Sequence, residues 1–166
     1  VMALDLRILL LVVLTSLGVA HAGPSIQSWE TDKGAKVIAG GKPHELGGFF
    51  FEPTILTGVD SSMAVAREET FGPLAPLFRF SDETDVIRQA NDTEFGLAAY
   101  FYARDLGRVF RVAEALEYGM VGINTGLIST EVAPFGGMKA SGLGREGSKY
   151  GIEEYIEIKY LCLGGI

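Results

Sequence analysis

One cysteine, Cys162, among 166 residues excludes an internal disulfide framework. Histidine is nearly as scarce. His21 and His44 stand far apart, and no group of Cys, His or carboxylates has metal-ligand spacing, so no structural metal is expected. Basic residues are in deficit, 14 Lys and Arg against 21 Asp and Glu, for a net charge of -7. That balance lacks the basic patches that bind nucleic acid or an anionic membrane. Long apolar runs are missing too: the longest, beginning at Ile8, falls short of the roughly 20 residues a membrane helix needs. No stable membrane span is expected.

What is present reads as a globular chain, 48% apolar and rich in glycine, with 22. Its first 22 residues differ from the rest. Arg7 precedes the apolar run Ile8 to Val13, which continues through Leu14, Leu17 and Val19, and Ala20-His21-Ala22 supplies a small-x-small cleavage pattern. Residues 1–22 therefore read as a signal-like leader, with a buried helix as the alternative. Residues 23–34 read as a linker whose origin the residues leave open.

From Ala35 onward strand-like and helix-like segments alternate. Val37 to Ala39, Phe49 to Leu56 and Leu74 to Phe80 are strand candidates, with Pro53 pushing the second toward an edge. A helix follows that Ser81 can cap, with Asp82 and Glu83 suited to the positive end of its dipole. Leu97 to Tyr102 is the next strand. Asp105 caps a second helix whose apolar positions are Leu106, Val109, Phe110, Ala113 and Leu116, and Gly119 is placed to end it in a left-handed conformation. Met120 to Ile123 is a further strand. This order predicts an α/β fold with a parallel-type sheet and covering helices. Beyond Asn124 a glycine-rich stretch (Gly136, Gly137, Gly142, Gly144, Gly147) resists regular structure, and nothing in it reads as a phosphate loop. The tail Tyr155 to Leu163 alternates, with Ile156, Ile158, Tyr160 and Cys162 on one face. It reads as a terminal strand seeking a partner outside its own chain. On that apolar face Cys162 is expected to be buried and structural.

Three segments carry a resemblance. Arg67-Glu68-Glu69-Thr70-Phe71-Gly72-Pro73 is similar to a Glu-Glu-x-Phe-Gly-Pro motif. Asn91-Asp92-Thr93-Glu94-Phe95-Gly96-Leu97 is similar to Asn-x-x-x-Tyr/Phe-Gly-Leu. Pro134-Phe135-Gly136-Gly137-Met138-Lys139-Ala140-Ser141-Gly142-Leu143-Gly144-Arg145-Glu146 is similar to Pro-Phe-Gly-Gly-x-Lys-x-Ser-Gly-x-Gly-Arg-Glu. All three, in this order, resemble the aldehyde dehydrogenase superfamily. The stretches from Gly122 to Ser129 and from Gly147 to Ile152, with the ending Ile158 to Gly164, resemble its succinate-semialdehyde branch.

The resemblance implies the later half of that family's catalytic domain, covering residues 35–128. Residues 129–166 would then hold the substrate loop, the glycine-rich segment and an oligomerisation strand. By position, Glu69 matches the carboxylate that accepts the nicotinamide-ribose hydroxyls of NAD or NADP, and Phe71 the aromatic beside the nicotinamide. Ser129 matches a hydroxyl that helps hold the distal carboxylate of a semialdehyde, and Phe135 an aromatic wall of the same tunnel. Lys139, Arg145 and Glu146 are expected to be structural. No residue here matches the family's catalytic cysteine or its general-base glutamate, which lie upstream in the family, as does the cofactor domain.

The expectation is therefore part of a succinate-semialdehyde dehydrogenase of γ-aminobutyrate degradation, inactive as this chain alone and homo-oligomeric through Tyr155 to Leu163. The alternatives are another semialdehyde branch, such as glutarate semialdehyde, or a non-catalytic secreted binding module. Localisation is in conflict: the leader points to secretion, the family to cytoplasm or mitochondrion.

Overall fold

A computed structural model describes residues 31–70 and 72–165. The leader-like segment 1–22 and most of the linker lie outside the described residues. The chain divides into two compact units, whose described parts are 31–86 and 87–165.

In the first unit, β1 (Lys36–Ala39) pairs antiparallel with β2 (Thr54–Val59), which pairs parallel with β3 (Leu74–Phe78). Pro76, which has no N–H to donate, sits in β3 at the edge of this sheet. Gly58, at φ 68°, lies where the β2–β3 register shifts. That bulge lets Leu56 and Val59, three residues apart, both enter the core with Ala35 and Met63. Leu56 and Met63 are each 1% exposed. The expected strand Phe49 to Leu56 is displaced: Phe49 and Phe50 are exposed on an irregular arm, and the ladder begins only after Pro53.

Thr54, 3% exposed, closes this unit's connection. Its hydroxyl donates to the Glu52 carbonyl at 2.8 Å and accepts from Gly41 N–H at 2.8 Å. The turn Gly40-Gly41 is glycine for a steric reason. A Cβ on Gly40 would stand 2.1 Å from the Pro53 carbonyl oxygen, and φ is 64°.

Helix α1 (Glu83–Asn91) starts one residue later than expected. Asp82, not Ser81, accepts the orphan Asp85 N–H at 2.9 Å, and Ser81 N–H donates outward to the Asp85 carboxylate. An ionised carboxylate is the stronger acceptor here, and Ser81 becomes the residue before the cap.

The second unit holds β4 (Ala98–Phe101) and β5 (Met120–Ile123), parallel and in register from Ala98↔Met120 to Phe101↔Ile123. Helix α2 (Leu106–Ala115) joins them and lies against β5. Asp105 caps it as expected, accepting Arg108 N–H at 2.7 Å. The most buried stripe is Val109, Val112, Ala113 and Leu116, at helical spacing. Leu106 and Phe110, expected on the same face, are exposed. The α/β architecture stands, with the described strands in two small sheets and β1 antiparallel.

The tail departs from the reading of its sequence. Gly151–Tyr155 forms a 3-10 turn, and residues 156–165 enter no ladder among the described residues. Ile158, Tyr160, Leu161 and Leu163 are exposed, and so is Cys162, against the expected burial. A lone extended segment has no second sheet face to bury it, so alternation alone covers nothing.

Replacing Thr54 by Val keeps shape but strands Gly41 N–H in a buried site. We expect a loss of about 1–3 kcal/mol in urea denaturation of this chain, with Thr54→Ser much closer to the parent.

Candidate functional site

The first unit carries the Glu69 segment. After the 3-10 turn Ala64–Ala66, the N–H groups of Arg67 and Glu68 both donate to the Ala64 carbonyl, at 2.8 and 2.7 Å. Glu69 then lies half-buried in irregular chain leading to β3. Gly72 N–H donates to Thr70 O at 3.0 Å, Leu74 N–H to Gly72 O at 2.8 Å, and Pro73 O accepts Thr54 N–H at 2.7 Å. The motif is thus a series of tight turns anchored to the sheet. A carboxylate left half-exposed on such a segment fits an acceptor for paired hydroxyls. Phe71 lies outside the described residues.

The second unit brings the other two motifs together. The Gly96 carbonyl accepts from both Gly119 N–H (2.9 Å) and Met138 N–H (3.0 Å), and Gly96 N–H donates to Ser141 Oγ at 2.9 Å. Lys139, held at φ 56°, donates to the carbonyls of Asn91 and Thr93 at 3.0 and 3.3 Å and pairs with Glu117. Asn91 donates to Ala115 O and accepts from Glu117 N–H. Arg145 Nη1 donates to the carbonyls of Gly137 and Gly144 at 2.8 and 2.6 Å, closing the loop between them. Lys139 and Arg145 are therefore occupied with main-chain oxygens, the structural role expected of them. Tyr118 adds a buried phenol that donates to Ala90 O at 2.7 Å, and burial raises its pKa above the ordinary phenol value.

Gly119 is not the left-handed helix end its position suggested. Helix α2 ends at Ala115 with Leu116 as its cap, and Gly119 has no positive φ. Glycine is required because a Cβ there would stand 2.0 Å from the Gly136 carbonyl oxygen.

Clamped in this way, Phe135 pairs with Glu146 in an isolated antiparallel bridge, with N–H···O distances of 2.9 and 2.7 Å. Ser129 and Phe135 line one shallow, open concavity together with Glu131, Ala133 and Glu146. Thr130 and Gly147 complete it. No basic residue stands in this lining, and two carboxylates do. Composition gave no sign of Glu131 as a wall residue; only the folding of 129–135 against Gly147 places it there. Among the described residues no three His, Cys, Asp or Glu are grouped to hold a metal, and no helix is long and apolar enough to cross a membrane.

A sequence model of the aldehyde dehydrogenase family matches residues 24–161. This chain belongs to that family. It is 79% identical over 134 residues to glutarate-semialdehyde dehydrogenase of Pseudomonas aeruginosa, covering 81% of this chain and 28% of that protein. To the succinate-semialdehyde dehydrogenase [NADP(+)] of Escherichia coli it is 77% identical over 133 residues, covering 80% of this chain and 28% of that protein. The crystal structure of succinate-semialdehyde dehydrogenase from Burkholderia pseudomallei is similar at a TM-score of 0.78 and 73% identity, covering 80% of this chain and 28% of that one. The chain thus spans 28% of the length of these two curated relatives. In this aldehyde dehydrogenase segment the second and third sequence motifs are the two faces of one hydrogen-bonded assembly.

Gly119→Ala should cost about 3 kcal/mol or more, since a backbone oxygen cannot swing aside. Gly126→Ala, with nothing within 4 Å of the new methyl, should stay within about 0.5 kcal/mol of the parent. Denaturation midpoints of the two variants check both.

Proposed function

We propose that this chain is the C-terminal, substrate-facing part of an NAD(P)-dependent dehydrogenase that oxidises a carboxylate-bearing semialdehyde to its acid. Succinate semialdehyde is the first candidate substrate and glutarate semialdehyde its rival. The observation that carries the reading is Ser129 and Phe135 on the wall of one concavity, held by the Phe135–Glu146 bridge. Both substrates are supported by the relatives, which act on one or the other by name at nearly equal identity to this chain.

Ser129 would give a hydroxyl to the distal carboxylate of the substrate, and Phe135 an apolar wall along its methylenes. Glu69 would accept the ribose hydroxyls of NAD or NADP, with Phe71 beside the nicotinamide; when bound, that cofactor supplies the hydride acceptor. The lining contributed here carries Glu131 and Glu146 and no cation. A substrate carboxylate therefore needs its positive charge from residues outside this segment, as it needs the thiol nucleophile and the general base. Alone, the chain performs no oxidation. The exposed alternating tail, including Ile158 and Tyr160, would pair with a second copy of the protein.

The test is a chimera in which residues 31–166 replace the matched 28% of the E. coli enzyme. It should reduce NAD or NADP with succinate or glutarate semialdehyde, while the 166-residue chain alone should not. A folded chimera without turnover on either substrate would sink the reading. In the same chimera, Ile158→Asp with Tyr160→Asp should lower the oligomeric state seen by light scattering; an unchanged mass would remove the tail's role.

A further inference from the structure

Beyond the residues that meet the substrate, one residue of the second unit makes contacts out of proportion to its exposed position. Asn124 follows β5 directly and adopts φ 56°, a left-handed conformation that non-glycine residues seldom take. Its main-chain N–H donates to Phe101 O at 2.9 Å. The side-chain amide then closes on both backbone groups of one residue. Oδ1 accepts from Ala103 N–H at 2.9 Å, and Nδ2 donates to Ala103 O at 2.8 Å.

The amide thus imitates a strand residue. It extends the β4–β5 pairing past Phe101↔Ile123 while the main chain itself turns away. The turn lies at the C-terminal ends of two parallel strands, the end from which α/β sheets present their ligand-binding loops. Residues 125–133 leave from this point, and Ser129 lies within them. Leu127 is 91% exposed, so burial does little to hold the loop's first half. What holds its base is the set of three bonds to the Phe101–Ala103 segment.

We propose that Asn124 is a positioning residue for the semialdehyde loop: its two-point pairing with Ala103 sets the direction in which residues 125–133 leave β5, and so where Ser129 stands. The functional half rests on the reading of Ser129 given above; the mechanical half does not. Glycine at 124 would keep the left-handed backbone and lose the amide. Aspartate would keep the acceptor for Ala103 N–H and set a carboxylate oxygen against Ala103 O, where a donor now lies.

Two measurements test this. Hydrogen exchange on the 166-residue chain compares the parent with Asn124→Gly and Asn124→Asp. Protection of Ala103 and of the bonded amides in 125–133, Leu127 and Ala133, should fall about tenfold, as expected for one or two lost hydrogen bonds, while β4 and α2 stay protected. In the chimera, both variants should raise KM for succinate semialdehyde about tenfold and leave kcat within about twofold. KM for butanal, which has the same chain length and no carboxylate, should hardly move. Unchanged exchange in 125–133 overturns the proposal whatever the chimera does. Equal losses on both aldehydes overturn the positioning of Ser129 and reduce Asn124 to a general fold residue. An inactive parent chimera, by contrast, defeats the functional reading and leaves exchange to decide the loop's anchor.

Discussion

The second unit depends on how closely its backbone segments pass one another around Gly96. One carbonyl there serves two N–H groups, from Gly119 ahead of β5 and from Met138 in the glycine-rich segment. Such sharing demands three main-chain strands within hydrogen-bond reach, and side chains would keep them apart. A Cβ on Gly96 would stand 2.7 Å from Glu117 O, and one on Gly137 2.6 Å from Ser141 Cβ. The composition of the third motif follows from this. Gly136 removes bulk against the Gly144 carbonyl and Gly137 against Ser141; Gly142 and Gly144 supply positive φ, and Lys139, Ser141 and Arg145 satisfy the carbonyls and N–H groups that the close passage leaves over.

A consequence is that Lys139, Ser141 and Arg145 are engaged before any ligand arrives. Arg145, next in sequence to the lining residue Glu146, points its charge at main-chain oxygens, and Lys139 points its own at main-chain oxygens and the Glu117 carboxylate. The lining itself is acidic at Glu131 and Glu146. The concavity by itself therefore offers no charge complementary to an anionic ligand.

The tail shows a related incompleteness. Its alternation of Ile156, Ile158 and Tyr160 with Glu157 and Lys159 suits a half-covered strand, but among the described residues it pairs with nothing. Strand propensity expresses a fit to a neighbouring strand rather than a backbone preference. An extended, exposed segment is what remains where no neighbouring strand lies among the described residues, and Cys162 is exposed for the same reason.

Several features were readable from local chemistry. The β4–α2–β5 order, the Asp105 cap and the strand starting at Met120 follow from period, capping and turn residues, because each is decided within a few positions of chain. The pairing of motifs was partly readable, since Lys139 and Arg145 were expected to serve the loop. What sequence missed depends on contacts distant along the chain. Ser81 lost the cap to Asp82 by one residue of helix phase, and Phe110 lost its place on the buried stripe to Val112. Gly119 is glycine because of Gly136, not because of the helix before it. Asn124 gave a turn signal at most, and only the return of the chain past Ala103 makes its amide an anchor. By itself the sequence determined the family and most of the element types. Only tertiary structure decided which glycines are steric, which charges are already engaged and which walls Ser129 shares, because those depend on groups far apart in the chain coming within 3 Å of each other.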